Sequence, residues 1–208
     1  MIGTVAIIHR GVVCDELVPW LRALPRDVHL MRERGYEIAA QRNTAVRAMR
    51  GAWLLFIDSD SVPTHRTLDR LLEYERPVIG ATIIDRRSHT VCATKTFEPT
   101  VRLTLDEVAL ERGAIAVLAV GTGCLLVRRR VFEALREPWF TCGQLVNDCI
   151  TEDTEFCLRA AEVGYPSYLA CDVRVGHVVS GVVWPSDDGV PRVQWDGFEY
   201  AESVEALA

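Results

Sequence analysis

The stretch that decides the fold is Trp53–Pro63, WLLFIDSDSVP, where five apolar residues lead directly into two aspartates separated by one serine. Asp and Ser often follow a strand only because their side chains bond the backbone of a turn. Two carboxylates at this spacing also suit a divalent cation, which prefers oxygen ligands. The rest of the sequence decides between these two interpretations.

The chain around this stretch alternates between strand and helix patterns. The predicted elements are strands at 4–8, 28–31, 53–57 and 77–84, and helices at 15–24, 38–49 and 65–74. This order predicts an α/β fold, a single Rossmann-like domain with a mostly parallel central sheet flanked by helices. Ligands bind at the carboxyl ends of strands in such sheets. Asp58 and Asp60 lie at such an end, which favours the cation interpretation.

The pattern changes after residue 84. The remaining predicted elements are a turn with a hairpin or loop at 85–99, two strands separated by a glycine break at 114–130, a helix at 151–163 and a short strand at 167–170. Thr151 is the predicted N-cap of that helix, and Gly164 is its predicted stop. We assign residues 1–184 to the domain and 185–208 to a polar C-terminal tail or flap.

The composition is that of a soluble globular protein. The 208 residues are 49% hydrophobic and 25% charged, which suffices for a full core without disulfides. The net charge of −6 argues against a protein whose main function is tight nucleic-acid binding. Seven cysteines without a C-x-x-C pair indicate reduced, mostly buried thiols in a cytoplasmic protein, and no zinc site. The sequence shows no signal-peptide layout and no apolar run of about 20 residues, so no transmembrane segment is predicted.

Two further clusters carry groups that could do chemistry. Glu152 and Asp153 begin the predicted helix after Thr151, a position where acids commonly do no more than stabilise the helix dipole. His177, in RVGHVV, has the alternative of a core or turn histidine that bonds only protein groups. The three arginines at 128–130 could serve only as a solvated end of the predicted strand before them. Each motif taken alone fits a structural role as well as a functional one. The order of the motifs along the chain is what favours the functional interpretation.

Three segments taken together resemble a known family. They are AAQRNTAVRAMRGAWLLFIDSDSVP, VGTGCLLVRRRVFEAL and TEDTEFCLRAAEVGYPSYLACDVRVGHV. An Arg-Asn pair on a helix, a D-x-D after an apolar strand, a G-x-G, a Glu-Asp helix start and a Gly-His occur in this order. This set is similar to GT-A fold, family 2-like nucleotide-sugar glycosyltransferases. The resemblance covers about Gln41 to Val178, most of the chain.

The resemblance implies a metal-dependent, inverting transfer of a hexosyl or pentosyl group from a nucleoside-diphosphate sugar to a hydroxyl acceptor. Mn²⁺ or Mg²⁺ would bridge the donor diphosphate and bind Asp60 and His177, while Asp58 would face the ribose or the outer shell of the metal. Such a cation stabilises the negative charge that develops on the leaving diphosphate.

The resemblance also assigns the remaining site residues. The implied donor-binding set is His9, Arg42, Asn43, Asp58, Gly121, Thr122 and Gly123. Asp153, with Glu152 beside it, would be the catalytic base or would orient the acceptor. The acceptor stays open among a saccharide, another small molecule, a protein side chain and a modified nucleobase. The short segment DVHLMRERGYEI leaves the nucleotide open as well.

Two alternatives stand beside this interpretation. LLFIDSDSV also matches the opening motif of haloacid-dehalogenase-like phosphatases, in which Asp58 would be a nucleophile beside Mg²⁺. The α/β pattern that precedes the motif, and the presence of a single lysine, Lys95, count against it. The second alternative is a catalytically inactive GT-A module that binds a nucleotide or a partner.

Overall fold

A seven-stranded sheet forms the centre of the computed structural model, which describes residues 2–85, 88–97, 100–145, 148–178, 181–186, 189–195 and 198–200. The helices are α1 Leu17–Ala23, α2 Ile38–Ala48, α3 Thr67–Glu73, α4 Leu105–Leu110, α5 Arg129–Ala134 and α6 Glu152–Glu162. The strands are β1 Thr4–His9, β2 His29–Arg34, β3 Trp53–Asp58, β4 Ser61–Val62, β5 Val78–Thr82, β6 Ala93–Phe97, β7 Thr100–Arg102, β8 Ala114–Val117, β9 Ala119–Val120, β10 Cys124–Arg128, β11 Gly143–Leu145, β12 Asp148–Ile150, β13 Ser167–Arg174, β14 Gly176–Val178, β15 Gly181–Trp184, β16 Arg192–Trp195 and β17 Phe198–Tyr200.

The central sheet has the order β2-β1-β3-β10-β5-β13-β8. Strands β1, β2, β3, β5 and β13 run in one direction, whereas β10 and β8 run in the other. The predicted α/β fold with a mostly parallel central sheet is therefore confirmed. The glycine break was expected only to separate two strands. It also sends β10 back between β3 and β5, antiparallel to both.

Strand β3 is buried on both faces, as its uninterrupted apolar sequence predicts. Leu54 and Phe56 pack into the core on one face, where the Phe140 and Phe156 rings stack with centroids 4.6 Å apart. The alternate residues of β3 pack into a second core with α1 and α3 on the other face. The sheet is thus fixed from both sides, and the carboxyl end of β3 is held in place.

The arginines at 128–130 have a structural role at the opposite edge of the sheet. Arg129 donates from Nη2 to the Met49 carbonyl oxygen at 3.1 Å, just past the end of α2. Arg128 donates to the Leu72 carbonyl oxygen in α3 at 3.0 Å. Cations at helix C-termini bond the last carbonyl groups and oppose the helix dipole. Two of the three arginines therefore stabilise helix ends.

A second sheet of five strands, in the order β17-β16-β15-β14-β4, lies at the carboxyl end of β3. The sequence predicts a tail or flap from residue 185, and the described part of that range contains β16 and β17, which extend this sheet. The rest of the predicted tail, residues 187–188, 196–197 and 201–208, lies outside the described residues. Within the described ranges, no helix has the length and apolar content needed to cross a membrane.

Candidate active site

The D-x-D turn and His177 come together through one short strand pairing. Strand β4 follows Asp60 directly and pairs antiparallel with β14, which places His177 opposite Ser61. The His177 Nε2 atom lies 3.4 Å from Asp60 Oδ2, and its Nδ1 lies 2.9 Å from the Ile84 carbonyl oxygen. A carbonyl oxygen only accepts, so Nδ1 carries the hydrogen. In the neutral ring, the Nε2 lone pair then faces Asp60, the arrangement in which histidine binds metals.

Asp60 and His177 could supply two ligands to a cation, and its other ligands would then come from elsewhere. Across the described residues, no group of three or more His, Cys, Asp or Glu side chains is arranged to hold a metal ion. Hard divalent cations take about six ligands, mostly oxygen. Oxygen atoms of a substrate or of water would therefore have to complete the shell.

Arg42, which the resemblance places among the donor-binding residues, lies beside the first aspartate of the D-x-D turn. Its side chain is 3% exposed and donates from Nη2 to Asp58 Oδ1 at 3.2 Å and from Nη1 to Glu152 Oε1. Arg42 is therefore bound to two carboxylates of the site through its terminal nitrogens, while its buried Nε has no hydrogen-bond partner among the described residues. Burial raises the pKa of Asp58, and the Arg42 guanidinium opposes that rise.

Asn43, the second expected nucleotide contact on α2, has a side chain that bonds the backbone of a buried segment. Its Oδ1 accepts the N–H groups of Trp139 and Phe140 at 2.9 and 3.0 Å, and its Nδ2 donates to the Phe140 carbonyl oxygen at 2.8 Å. These bonds satisfy a buried amide and favour a structural role for Asn43, and its contact with the nucleotide stays a prediction of the sequence. His9, another expected donor contact, has a buried Nδ1 that finds no hydrogen-bond partner within the part of the chain that the structure describes.

The Gly121–Gly123 turn forms the floor beneath the carboxylates. The Gly123 carbonyl oxygen accepts the Asp58 N–H at 3.1 Å, which ties the turn to the end of β3. A Cβ at Gly123 would lie 3.0 Å from Ile83 Cδ1, and a Cβ at Gly121 would lie 3.1 Å from Cys92 Cβ. Both glycines therefore allow a close approach that larger residues would obstruct. Thr122 between them is buried.

Glu152 and Asp153 are adjacent in sequence but have different partners. Glu152 pairs with Arg42, whereas Asp153 Oδ1 accepts the Thr154 N–H at 2.8 Å and the Thr151 hydroxyl. Thr151 occupies the predicted N-cap position, but its hydroxyl bonds Asp153 and does not cap the helix. Asp153 Oδ2 lies 3.8 Å from the position of a Cβ on Gly121, so it faces the glycine turn.

Two cavities meet at the D-x-D turn. The first, which we call the glycine cleft, measures about 340 Å³ and is lined by the Gly121–Gly123 turn, Arg42, Glu152, Asp153 and His177. The second, which we call the β1 cleft, is lined by residues 8–12, Gln41 and residues 58–60. Asp58 and Ile38 line both cavities.

Sequence reasoning missed one pair on the wall of the glycine cleft. Asp85 Oδ2 lies 3.1 Å from Arg102 Nη1, and both residues line the cavity. Asp85 could have been found, because it follows a predicted parallel strand just as Asp58 does. Arg102 carried no such signal, since its position depends on the hairpin formed by β6 and β7.

The architecture is shared with solved structures of the GT-A class. The crystal structure of A197 from STIV matches with a TM-score of 0.64 and 17% identity, over 96% of this chain and 97% of that one. Residues 1–349 of TarS from S. aureus, crystallised with UDP-GlcNAc, match with a TM-score of 0.52 and 13% identity, over 81% of this chain and 56% of that one. At these identities the likeness concerns the fold alone. A search of curated protein sequences finds no match.

The family follows from the sequence itself. Residues 13–187 match the family described as Glycosyltransferase like family 2. Because the match spans most of the chain, the protein belongs to this glycosyltransferase family. The predicted resemblance is thereby confirmed.

Proposed function

We propose that the protein transfers a sugar from a nucleoside-diphosphate sugar to a hydroxyl acceptor with inversion of configuration. The observation that carries the proposal is the D-x-D turn between two cavities, with His177 Nε2 facing Asp60 Oδ2 at 3.4 Å. The nucleoside would occupy the β1 cleft, and the sugar would occupy the glycine cleft. The diphosphate would then lie at the turn. Membership in the glycosyltransferase family supports the transfer reaction.

The residues at the turn fit a cation that is shared with the substrate. Asp60 offers oxygen and His177 offers nitrogen, a mixed set that suits Mn²⁺ better than Ca²⁺. Asp58 would face the ribose or the outer shell of the metal, because Arg42 already bonds its Oδ1. When bound, the cation supplies positive charge where the leaving diphosphate gains negative charge.

Asp153 is the proposed base. Its Oδ1 is held by Thr151 and Thr154, which fixes the carboxylate, while Oδ2 faces the glycine turn. There it would take the proton of an acceptor hydroxyl as that oxygen attacks the sugar. In the β1 cleft, the buried Nδ1 of His9 is a hydrogen-bonding atom for the nucleoside.

A haloacid-dehalogenase-like phosphatase is not supported, because the chain belongs to a different family and Arg42 bonds the would-be nucleophile Asp58.

The proposal is tested by thermal unfolding with UDP and with GDP, each measured with Mn²⁺ and with EDTA. We expect at least one diphosphate to raise the melting temperature with Mn²⁺ and to have little effect with EDTA. Asp60→Asn should remove this difference, while Asp172→Asn, a change outside both clefts, should keep it. Equal shifts with and without metal would contradict the bridging cation. If a diphosphate binds but no sugar is transferred from any of a panel of nucleotide sugars, the result would favour the catalytically inactive module.

A further inference from the structure

We propose that Asp85 and Arg102 recognise hydroxyl groups of the donor sugar, and that this sugar is uncharged. The inference rests on the proposed function and adds a class of substrate to it.

The pair is fixed at the wall of the glycine cleft. Asp85 Oδ1 accepts the Ser88 N–H at 2.9 Å, and Asp85 Oδ2 lies 3.1 Å from Arg102 Nη1. The same Nη1 donates to the Ser88 hydroxyl at 3.4 Å. The side chains of Arg102 and Asp85 are nevertheless 43% and 29% exposed. Both groups are therefore oriented by protein contacts, and both line the cleft.

The position along the cleft indicates the donor sugar and not the acceptor. Asp85 directly follows Ile84, whose carbonyl oxygen holds Nδ1 of His177 at 2.9 Å. His177 is one of the two proposed metal ligands, so Asp85 lies beside the diphosphate end of the cleft. The group covalently attached to that diphosphate is the donor sugar.

The chemistry of the pair suits a hydroxyl group. A hydroxyl both donates and accepts a hydrogen bond, a carboxylate only accepts, and a guanidinium only donates. A sugar hydroxyl can therefore donate to Asp85 and accept from Arg102 at once. Neighbouring hydroxyls on a ring can divide these two bonds between them. Few, well-placed polar groups of this kind determine specificity in ligand cavities.

The charge of the cleft argues against an anionic sugar. Among the described residues that line it, four carboxylates, on Asp58, Asp85, Glu152 and Asp153, outnumber the guanidinium groups of Arg42 and Arg102. Both guanidinium groups already bond carboxylates. A carboxylate on the sugar would have to compete with Asp85 for Arg102, and it would meet the three other carboxylates of the described lining residues. A neutral sugar meets no such repulsion.

The test compares the affinity of each diphosphate with that of its sugar in the presence of Mn²⁺. Titration calorimetry would use UDP with UDP-glucose, UDP-N-acetylglucosamine and UDP-glucuronate, and GDP with GDP-mannose. We expect one nucleotide sugar with a neutral sugar to bind more tightly than its diphosphate alone. UDP-glucuronate should bind no more tightly than UDP. Asp85→Asn and Arg102→Gln should each reduce that gain about tenfold while diphosphate affinity stays unchanged.

Lys95→Met is the matched control, because Lys95 and Glu107 form an ion pair of similar exposure that does not line the glycine cleft. It should keep the full gain. The inference is overturned if glucuronate is preferred, if no sugar binds better than its diphosphate, or if both variants bind like the control. An effect confined to the acceptor KM would also overturn it. If neither diphosphate binds, the proposed function itself fails, and the inference fails with it.

Discussion

Arg42 and Glu152 lie 110 residues apart in the chain and form a buried ion pair at the wall of the glycine cleft. Arg42 bonds Asp58 with its other terminal nitrogen, so one guanidinium joins the first carboxylate of the D-x-D turn to the start of α6. Glu152 is thereby occupied in positioning its neighbours. Asp153, the next residue, bonds Thr151 and Thr154 instead, and its Oδ2 faces the glycine turn.

Arg42→Ala should cost about 3 kcal/mol or more in unfolding free energy, because it leaves two carboxylates without their shared partner. Donor binding should weaken as well, since Asp58 loses its fixed position. The control is Arg47→Ala on the same helix, whose exposed ion pair with Glu137 contributes about 1 kcal/mol or less. Urea denaturation measures the unfolding free energy of both variants. An Arg42 variant as stable as the control would show that the ion pairs contribute little.

Asp153→Asn should slow sugar transfer roughly 10²–10⁴-fold, the contribution of a general base. The asparagine oxygen can still accept from Thr154, so donor affinity and melting temperature should change little. Glu152→Gln is the comparison, and it should affect stability and donor affinity more than the rate of the chemical step. Single-turnover kinetics with saturating donor separates these effects. Near wild-type transfer by Asp153→Asn would assign the base elsewhere, and activity in both amide variants would favour a retaining mechanism.

Asn43→Ala should destabilise the protein by about 2–4 kcal/mol, because two N–H groups and one carbonyl lose their buried partner. Diphosphate affinity of the folded variant should equal that of the wild type. Thr44→Ala on the same helix is the control. The Thr44 hydroxyl is exposed and donates to the Ala40 carbonyl oxygen one turn earlier. A loss of diphosphate affinity without a loss of stability would assign Asn43 to the nucleotide site.

Asp172→Asn should make stability less dependent on pH. Burial alone would raise the pKa of Asp172, but hydrogen bonds from Arg70 and Tyr74 outweigh it and hold the pKa below its ordinary value of 3.8. A carboxyl with a lowered folded pKa stabilises the protein above its unfolded pKa, and this contribution disappears as the pH falls through the folded value. The wild type should therefore exceed the variant in unfolding free energy at neutral pH and lose this advantage below pH 3.8. A difference that does not vary with pH would contradict the assignment.

The sequence predicts the elements that depend on local pattern. Strand β3 and its D-x-D turn follow from an apolar run ending in turn residues. Helix α6 ends at Glu162, two residues before Gly164, whose φ is +87°. The family resemblance rests on these same local motifs. They fix which residues reach the carboxyl edge of the sheet.

What the sequence could not predict depends on contacts between distant segments. The return of β10 between β3 and β5 is a choice of pairing partner, and periodicity does not determine partners. Arg42 and Asn43 are neighbours on α2 and look alike in sequence, yet one bonds carboxylates of the cleft and the other bonds backbone of the core. Only tertiary packing separates these two roles.

The peptide group of Ile84 has a consequence for how the donor is sensed. Its carbonyl oxygen orients His177, the next residue is Asp85, and Ile84 itself pairs with Val91 across the turn. A sugar that draws Asp85 inward would shift the same short segment that aims His177 at the cation. Binding of the sugar and binding of the cation would then be coupled, and each would change the affinity for the other by the same factor. Such reciprocity would let the protein respond to an intact donor and release its parts after transfer, when the diphosphate no longer carries a sugar.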